Sequence, residues 1–165
     1  MPLLICGIKK TTENQFSWRY KILSETYIHY GHKHFDRDLF EPIKNKTFVK
    51  PFGGLWASNV NARYGWKDWC EVEEFCECDK ENSFSFTLSD DARILQINST
   101  KDIKNLPSHQ GDFSYPWVIL DFKEISKTYD VIEANISNSS ELYFALYGWD
   151  CDCILVMNPD VIQEI

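Results

Sequence analysis

No stretch of this 165-residue chain approaches the run of about 20 apolar residues that a helix needs to cross a bilayer. The opening MPLLICGIKK has a short apolar run with its charges after it, whereas a secretory leader carries basic residues first and a longer apolar segment. A cytoplasmic protein without membrane attachment is therefore expected, its six cysteines held as reduced thiols. Internal repeats, low-complexity tracts and linkers are also missing, so residues 1–165 are expected to form a single domain. Among motifs, the chain lacks a Walker A loop, GxGxxG, HExxH and the GxSxG nucleophile elbow, which removes the common P-loop, dinucleotide-fold, zinc-protease and serine-hydrolase readings.

What is present begins with aromatic residues, 15% of the chain, including six Trp, eight Tyr and eleven Phe. Rings in this number either build the core or line a pocket for a planar ligand. Hydrophobic residues at 44% and charged residues at 25% match an ordered globular chain. The net charge is −8, unevenly spread: residues 1–50 carry nine Lys/Arg against five Asp/Glu, and the remaining 115 carry eight against twenty. An acidic whole argues against general coating of nucleic acid, while the basic first third suits a pyrophosphate or a single strand.

Period and turn signals predict an α+β fold of short strands and few helices. Strands are expected at Trp18–Leu23, Tyr27–Gly31, Leu55–Ser58, in FSFTLS (84–89), ARILQIN (92–98) and YDVIEAN (129–135), and in the apolar CILVM (153–157), stopped by Asn158–Pro159. Helices are expected at Phe35–Glu41 before Pro42, at Gly65–Phe75 with Trp66, Trp69 and Cys70 on one face, from Asp121 through Thr128 behind an Asp121/Glu124 capping box, and over SSELYFALY (139–147). Cys76–x–Cys78 lies close to Cys70, and Cys151–x–Cys153 forms a second pair. Four thiolates suit zinc, but structural zinc sites space their pairs by two to four residues, and a CxC within a strand turns both side chains to one face, which packing explains. No metal ligands are assigned on this basis.

Three segments in fixed order carry the functional signal: YIHYG with His29, GGLWAS with Gly53, Gly54, Trp56 and Ser58, and the closing strands with Glu133, Asp150 and Asp152. Together they resemble the ADP-ribosyltransferase superfamily in its His–aromatic–acid form. Its members place a histidine in an early strand, then a Gly-x-aromatic-x-Ser/Ala strand, then an apolar strand of the type VVFDPxQI, to which LVMNPDVI (155–162) is similar. The likeness runs from about Tyr27 to the end of the chain. Trp56 stands where that pattern usually has Tyr, and Cys153 where it usually has the acid.

The resemblance implies a compact split β-sheet core and an enzyme that cleaves the nicotinamide–ribose bond of NAD, its co-substrate, and transfers ADP-ribose to a protein or nucleic acid. It implies His29, Tyr30, Gly31, Gly54, Leu55, Trp56, Ser58 and Trp66 around the dinucleotide, with His29 on a ribose and Trp56 on nicotinamide. Main-chain N–H groups at Gly53 and Gly54 would meet the carboxamide, and Arg19, Lys21, Lys50 or Arg63 the pyrophosphate. Glu133 or Asp152, with His29, would serve the oxocarbenium-like centre, and Asp150 is a further carboxylate in reach of that role. A toxin or phage-related effector with an inhibitory partner protein fits that class. Three other readings remain open: a non-catalytic NAD- or nucleotide-binding module, an NAD glycohydrolase, and a small zinc-bound interaction domain.

Overall fold

Short apolar runs between polar turns build a sheet with helices laid on one face. The computed structural model describes residues 25–46, 50–109, 119–146 and 148–165. In chain order it has β1 (Tyr27–Tyr30), β2 (Leu55–Asn59), α1 (Trp66–Val72), β3 (Ser83–Leu88), β4 (Ile94–Ile97), α2 (Thr100–Ile103), β5 (Ser108–His109), β6 (Ile119–Leu120), α3 (Phe122–Ile125), β7 (Val131–Ala134), α4 (Ser140–Ala145), β8 (Cys153–Val156) and β9 (Ile162–Glu164). The class is α+β: among the described residues there is a seven-stranded sheet in the order β4-β7-β8-β2-β1-β3-β9 and a two-stranded β5-β6 ribbon. No helix of the described residues is long and apolar enough to cross a membrane.

Strand β8 pairs antiparallel with β2 on one side and β7 on the other, and β4 joins β7 in parallel. All four residues of β8 are buried, the reason CILV reads as an unbroken apolar run rather than an alternation. Strand β3 alternates instead, burying Phe84, Phe86 and Leu88. The two faces carry separate cores. Under the helices, Ile97, Ile132, Ala134 and Leu155 meet Ile103, Phe122, Leu142 and Trp149. On the opposite face, Tyr27, Phe84 and Phe86 pack with Val131, Ile154 and Val156. Each of the Val, Leu, Ile and Phe side chains contributes roughly 1.5–3 kcal/mol of burial.

Several elements differ from expectation. Phe35–Glu41 forms only a 3-10 turn at Arg37–Leu39, opened by Asp36, whose carboxylate accepts from the Asp38 N–H. None of its residues is buried, so no packing offsets the cost of nucleating a longer helix. The helix expected to Phe75 stops at Val72: Glu74 turns to φ +48°, and Phe75 folds its ring back onto Trp66 and Trp69. The helix opened by Asp121 is likewise shorter, ending at Ile125 with looser turns through Tyr129. FSFTLS and ARILQIN are neighbours in sequence yet lie in different halves of the sheet, because Arg93 turns the chain toward Asp130 beside β7. After the Asn158–Pro159 stop the chain re-enters the sheet as β9, an unanticipated edge strand on β3. The strand expected at Trp18–Leu23, and Arg19 and Lys21 with it, lie outside the described residues.

Candidate functional site

The sheet opens between β1 and β2. These strands pair only at Tyr27–Asn59 and Ile28–Ser58, although β1 stays paired with β3 through Tyr30. The Gly53–Gly54 turn sets the angle at which the chain enters β2. Both residues have positive φ, +82° and +71°, and Gly54 N–H donates to Glu41 O at 2.8 Å. A Cβ on Gly53 would collide with the Pro42 carbonyl oxygen, and one on Gly54 would lie 2.6 Å from Leu155 Cδ1. Only glycine fits this turn.

His29 bridges the opening. Its Nδ1 lies 2.7 Å from Trp56 O, and since a carbonyl only accepts, Nδ1 carries the proton. Burial holds the ring's pKa below that of a free histidine, so His29 is neutral at pH 7 and Nε2 is left as an acceptor, 3.1 Å from His32 Nδ1. Two cavities flank this bridge, the first toward the helix-covered face and the second toward the Phe84 face. One, about 280 Å³, is lined by Ile28, Tyr30, Lys50, Trp56, Trp66 and Cys153 among others. The second, about 180 Å³, is lined by His32, Phe35, Asp36, Gly54, Leu55 and Phe84 among others, and both share His29 and Trp56.

The first cavity is walled by indoles. Trp56 packs edge-on against buried Trp149 with centroids 4.8 Å apart, and Trp66 stacks on Trp69 at 5.0 Å. Lys50 Nζ sits 5.4 Å from the Trp56 ring and 5.9 Å from the Trp66 ring, and 2.7 Å from Asp150 Oδ2. Ser58 is buried behind this wall, where its Oγ donates to Asp152 O at 3.0 Å and accepts from Trp66 N–H at 2.9 Å. Ser58 thereby anchors the first residue of α1 and with it the Trp66 ring. Gly31, with φ +117°, ends β1 and bonds Asn82 O through its N–H; it is exposed and lines neither cavity.

The candidate acids fall elsewhere. Register places Trp56, Ser58, Cys153 and Leu155 on the helix-covered face and Glu133 on the other, with Tyr27. Glu133 accepts from Tyr27 OH at 3.4 Å and Gln96 Nε2 at 3.3 Å, and burial, reinforced by the charge of Glu25, raises its pKa. Asp152 precedes β8 with both oxygens engaged by Ser137, at 2.8 Å from its N–H and 2.6 Å from its hydroxyl. The void of about 10 Å³ beside Glu133 and Asp152 has no room for a nucleotide. So the three groups expected to converge do so only in part: His29 and GGLW meet, while Glu133 and Asp152 line neither cavity. Arg63 also points away, donating to Asn138 at 2.8 Å.

Two features escaped sequence reading. Lys50, considered only for pyrophosphate, lies by both indoles and pairs with Asp150, which itself lines a separate cavity of about 560 Å³ with Arg63, Tyr64 and Ser137. Cys151 and Cys153, read as a zinc half-site or packing, line that cavity, and their mutual hydrogen bond with burial keeps the Cys153 thiol protonated. A flat-walled cavity with one cation and a neutral imidazole at its edge suits a planar heterocycle carrying hydroxyl or phosphate groups. No family model, curated protein or solved structure was found to match this chain.

Proposed function

We propose that this chain is an NAD-binding domain of the ADP-ribosyltransferase kind, which cleaves the nicotinamide–ribose bond and passes ADP-ribose to a protein or nucleic-acid acceptor. The observation that carries it is the pair of cavities that share His29 and Trp56 where β1 and β2 part. Two lobes sharing a bridging imidazole suit a dinucleotide better than a single ring. In this reading nicotinamide lies against Trp56 and Trp66, His29 Nε2 accepts from a ribose hydroxyl, and Lys50 faces the pyrophosphate. Asp150, held at 2.7 Å from Lys50, takes the charge-stabilising role in place of Glu133 and Asp152. Glu133 lies on the Tyr27 face of the sheet and lines neither cavity.

Calorimetry with NAD and chromatographic detection of released nicotinamide test this directly. Binding with turnover supports transfer or hydrolysis, and label passed from NAD to macromolecules in a lysate separates the two. Asp150→Asn is expected to lower turnover at least tenfold while changing affinity little, because its charge matters most as the bond breaks.

One observation favours a second reading, a binding module without catalysis: no carboxylate is among the residues lining the first cavity, and Cys153 holds the register position of the usual acid. NAD bound tightly and left intact, in the parent chain and in Asp150→Asn alike, would decide for it. Absence of NAD binding at millimolar concentration would sink both.

A further inference from the structure

On α1, away from the residue that walls the cavity, three thiols meet. Cys70 is buried within the helix, whereas Cys76 is exposed and Cys78 half-buried in the segment that follows. Their sulfurs all lie within 4.8 Å of one another, and Cys70 Sγ and Cys76 Sγ are 3.4 Å apart. The backbone is shaped to bring them together. Helix α1 ends at Val72, Glu74 takes φ +48°, and Phe75 N–H donates to Cys70 O at 3.0 Å, which folds Cys76 back over the helix end. Phe75 then packs on Trp66 and Trp69, with centroids 5.8 and 5.2 Å away.

Apolar packing accounts for Cys70 but not for Cys76 or Cys78, which solvent reaches. A disulfide would bring two sulfurs to about 2.05 Å. Sulfurs around a tetrahedral zinc ion with bonds of about 2.3 Å stand about 3.8 Å apart, close to the spacing found here. The surrounding sequence, EVEEFCECD (71–79), has five acidic residues and no basic one, which favours a cation over an anion. Cys151 and Cys153 do not belong to this cluster, so it is not the pairing of two CxC units that the sequence invites.

We propose that Cys70, Cys76 and Cys78 form a three-thiolate site for a soft divalent cation of the zinc class, with the fourth position taken by solvent or a further donor. The ion would pin the segment after α1 to the helix whose first residue, Trp66, walls the cavity. The site stands apart from the nucleotide reading, and its test does not use NAD.

Reduced, chelator-stripped chain is titrated with cobalt(II) and then with zinc. The expected result is one cobalt per chain, a sulfur-to-cobalt charge-transfer band with tetrahedral d–d absorption, and loss of both as zinc displaces cobalt. Cys76→Ser removes an exposed group and should leave the circular dichroism spectrum unchanged, yet weaken cobalt binding by more than about tenfold, since loss of even an outer hydrogen-bond partner of a metal ligand costs that much. Cys78→Ser should do the same. Absence of the charge-transfer band in the parent chain, or a band of undiminished affinity in both variants, overturns the proposal.

Discussion

The two halves of the sheet are stabilised by different side chains, and the seam between them is where the cavities open. In the β4-β7-β8-β2 half, strands β7 and β8 are buried at every position and the core is largely aliphatic, with Ile97, Ile132 and Leu155 at 0% exposure. The β1-β3-β9 half relies on rings, with Phe86 at 0% beside Phe84 and Tyr27. One core spans the seam, where Tyr27, Phe84 and Phe86 pack on Val131, Ile154 and Val156, so β1 and β2 can spare backbone pairs without unravelling the sheet. Stability and ligand binding are thereby assigned to different residues.

Variants can break that division, beginning with the largest effect. Phe86→Ala and Leu155→Ala should each cost about 3–5 kcal/mol, read by chemical denaturation. A single transition lowered in both would show the halves melting together, and two transitions would show them uncoupled at the seam. Trp56→Leu keeps apolar volume against Trp149 but gives up a stacking face. It should weaken NAD binding by about 1–3 kcal/mol in calorimetry, with a smaller loss of Tm than either core variant.

Asp130 holds the two segments through which the chain passes between the halves, at Arg93 after β3 and Asn158 before β9. Its carboxylate accepts from Arg93 at 2.8 and 2.9 Å and from Asn158 at 3.0 Å, and these contacts, led by Arg93, hold its pKa well below the usual carboxylate range. A depressed folded pKa gives stability that is present above the unfolded value of about 3.9 and lost as pH falls below it. Asp130→Asn should therefore cost about 1–3 kcal/mol at pH 7, and its Tm deficit should shrink between pH 5 and pH 3. Glu133 has the opposite sign. Its raised pKa means that its contribution is complete below about pH 4.3 and falls as pH rises through the folded value. Glu133→Gln, which keeps an acceptor for Tyr27, should match the parent near pH 4 and exceed it by about 1 kcal/mol or less near pH 8. A large loss of turnover in this variant would return the catalytic role to Glu133.

Local pattern made much of this molecule legible. CILVM announced a buried strand, FSFTLS a strand, and Asp121 with Glu124 the start of a helix. Strand order was not readable, because nothing within ARILQIN says that it pairs in parallel with YDVIEAN rather than with the adjacent FSFTLS. The meeting of His29 with Trp56 was implied only by the resemblance to the ADP-ribosyltransferase pattern. Which face Glu133 takes could not, because a register shift of one residue reverses it and register is set by strands distant in sequence. The three-thiol cluster was hidden for a similar reason: it depends on one backbone angle at Glu74 that no spacing rule encodes.

Strand β8 lies in the interior of the sheet although every other strand of that sheet except β9 is synthesised before it. Its partner β2 precedes it by nearly a hundred residues, so a ribosome releases β1, β2 and β3 well before the ladder that joins them to β7 can close. Such long-separation pairing slows folding, because loop-closure entropy is lost before the contacts form. Meanwhile the nascent chain shows Phe84, Phe86 and an unpaired β2 edge to its surroundings, which makes this interval the one in which a chaperone would find most to hold.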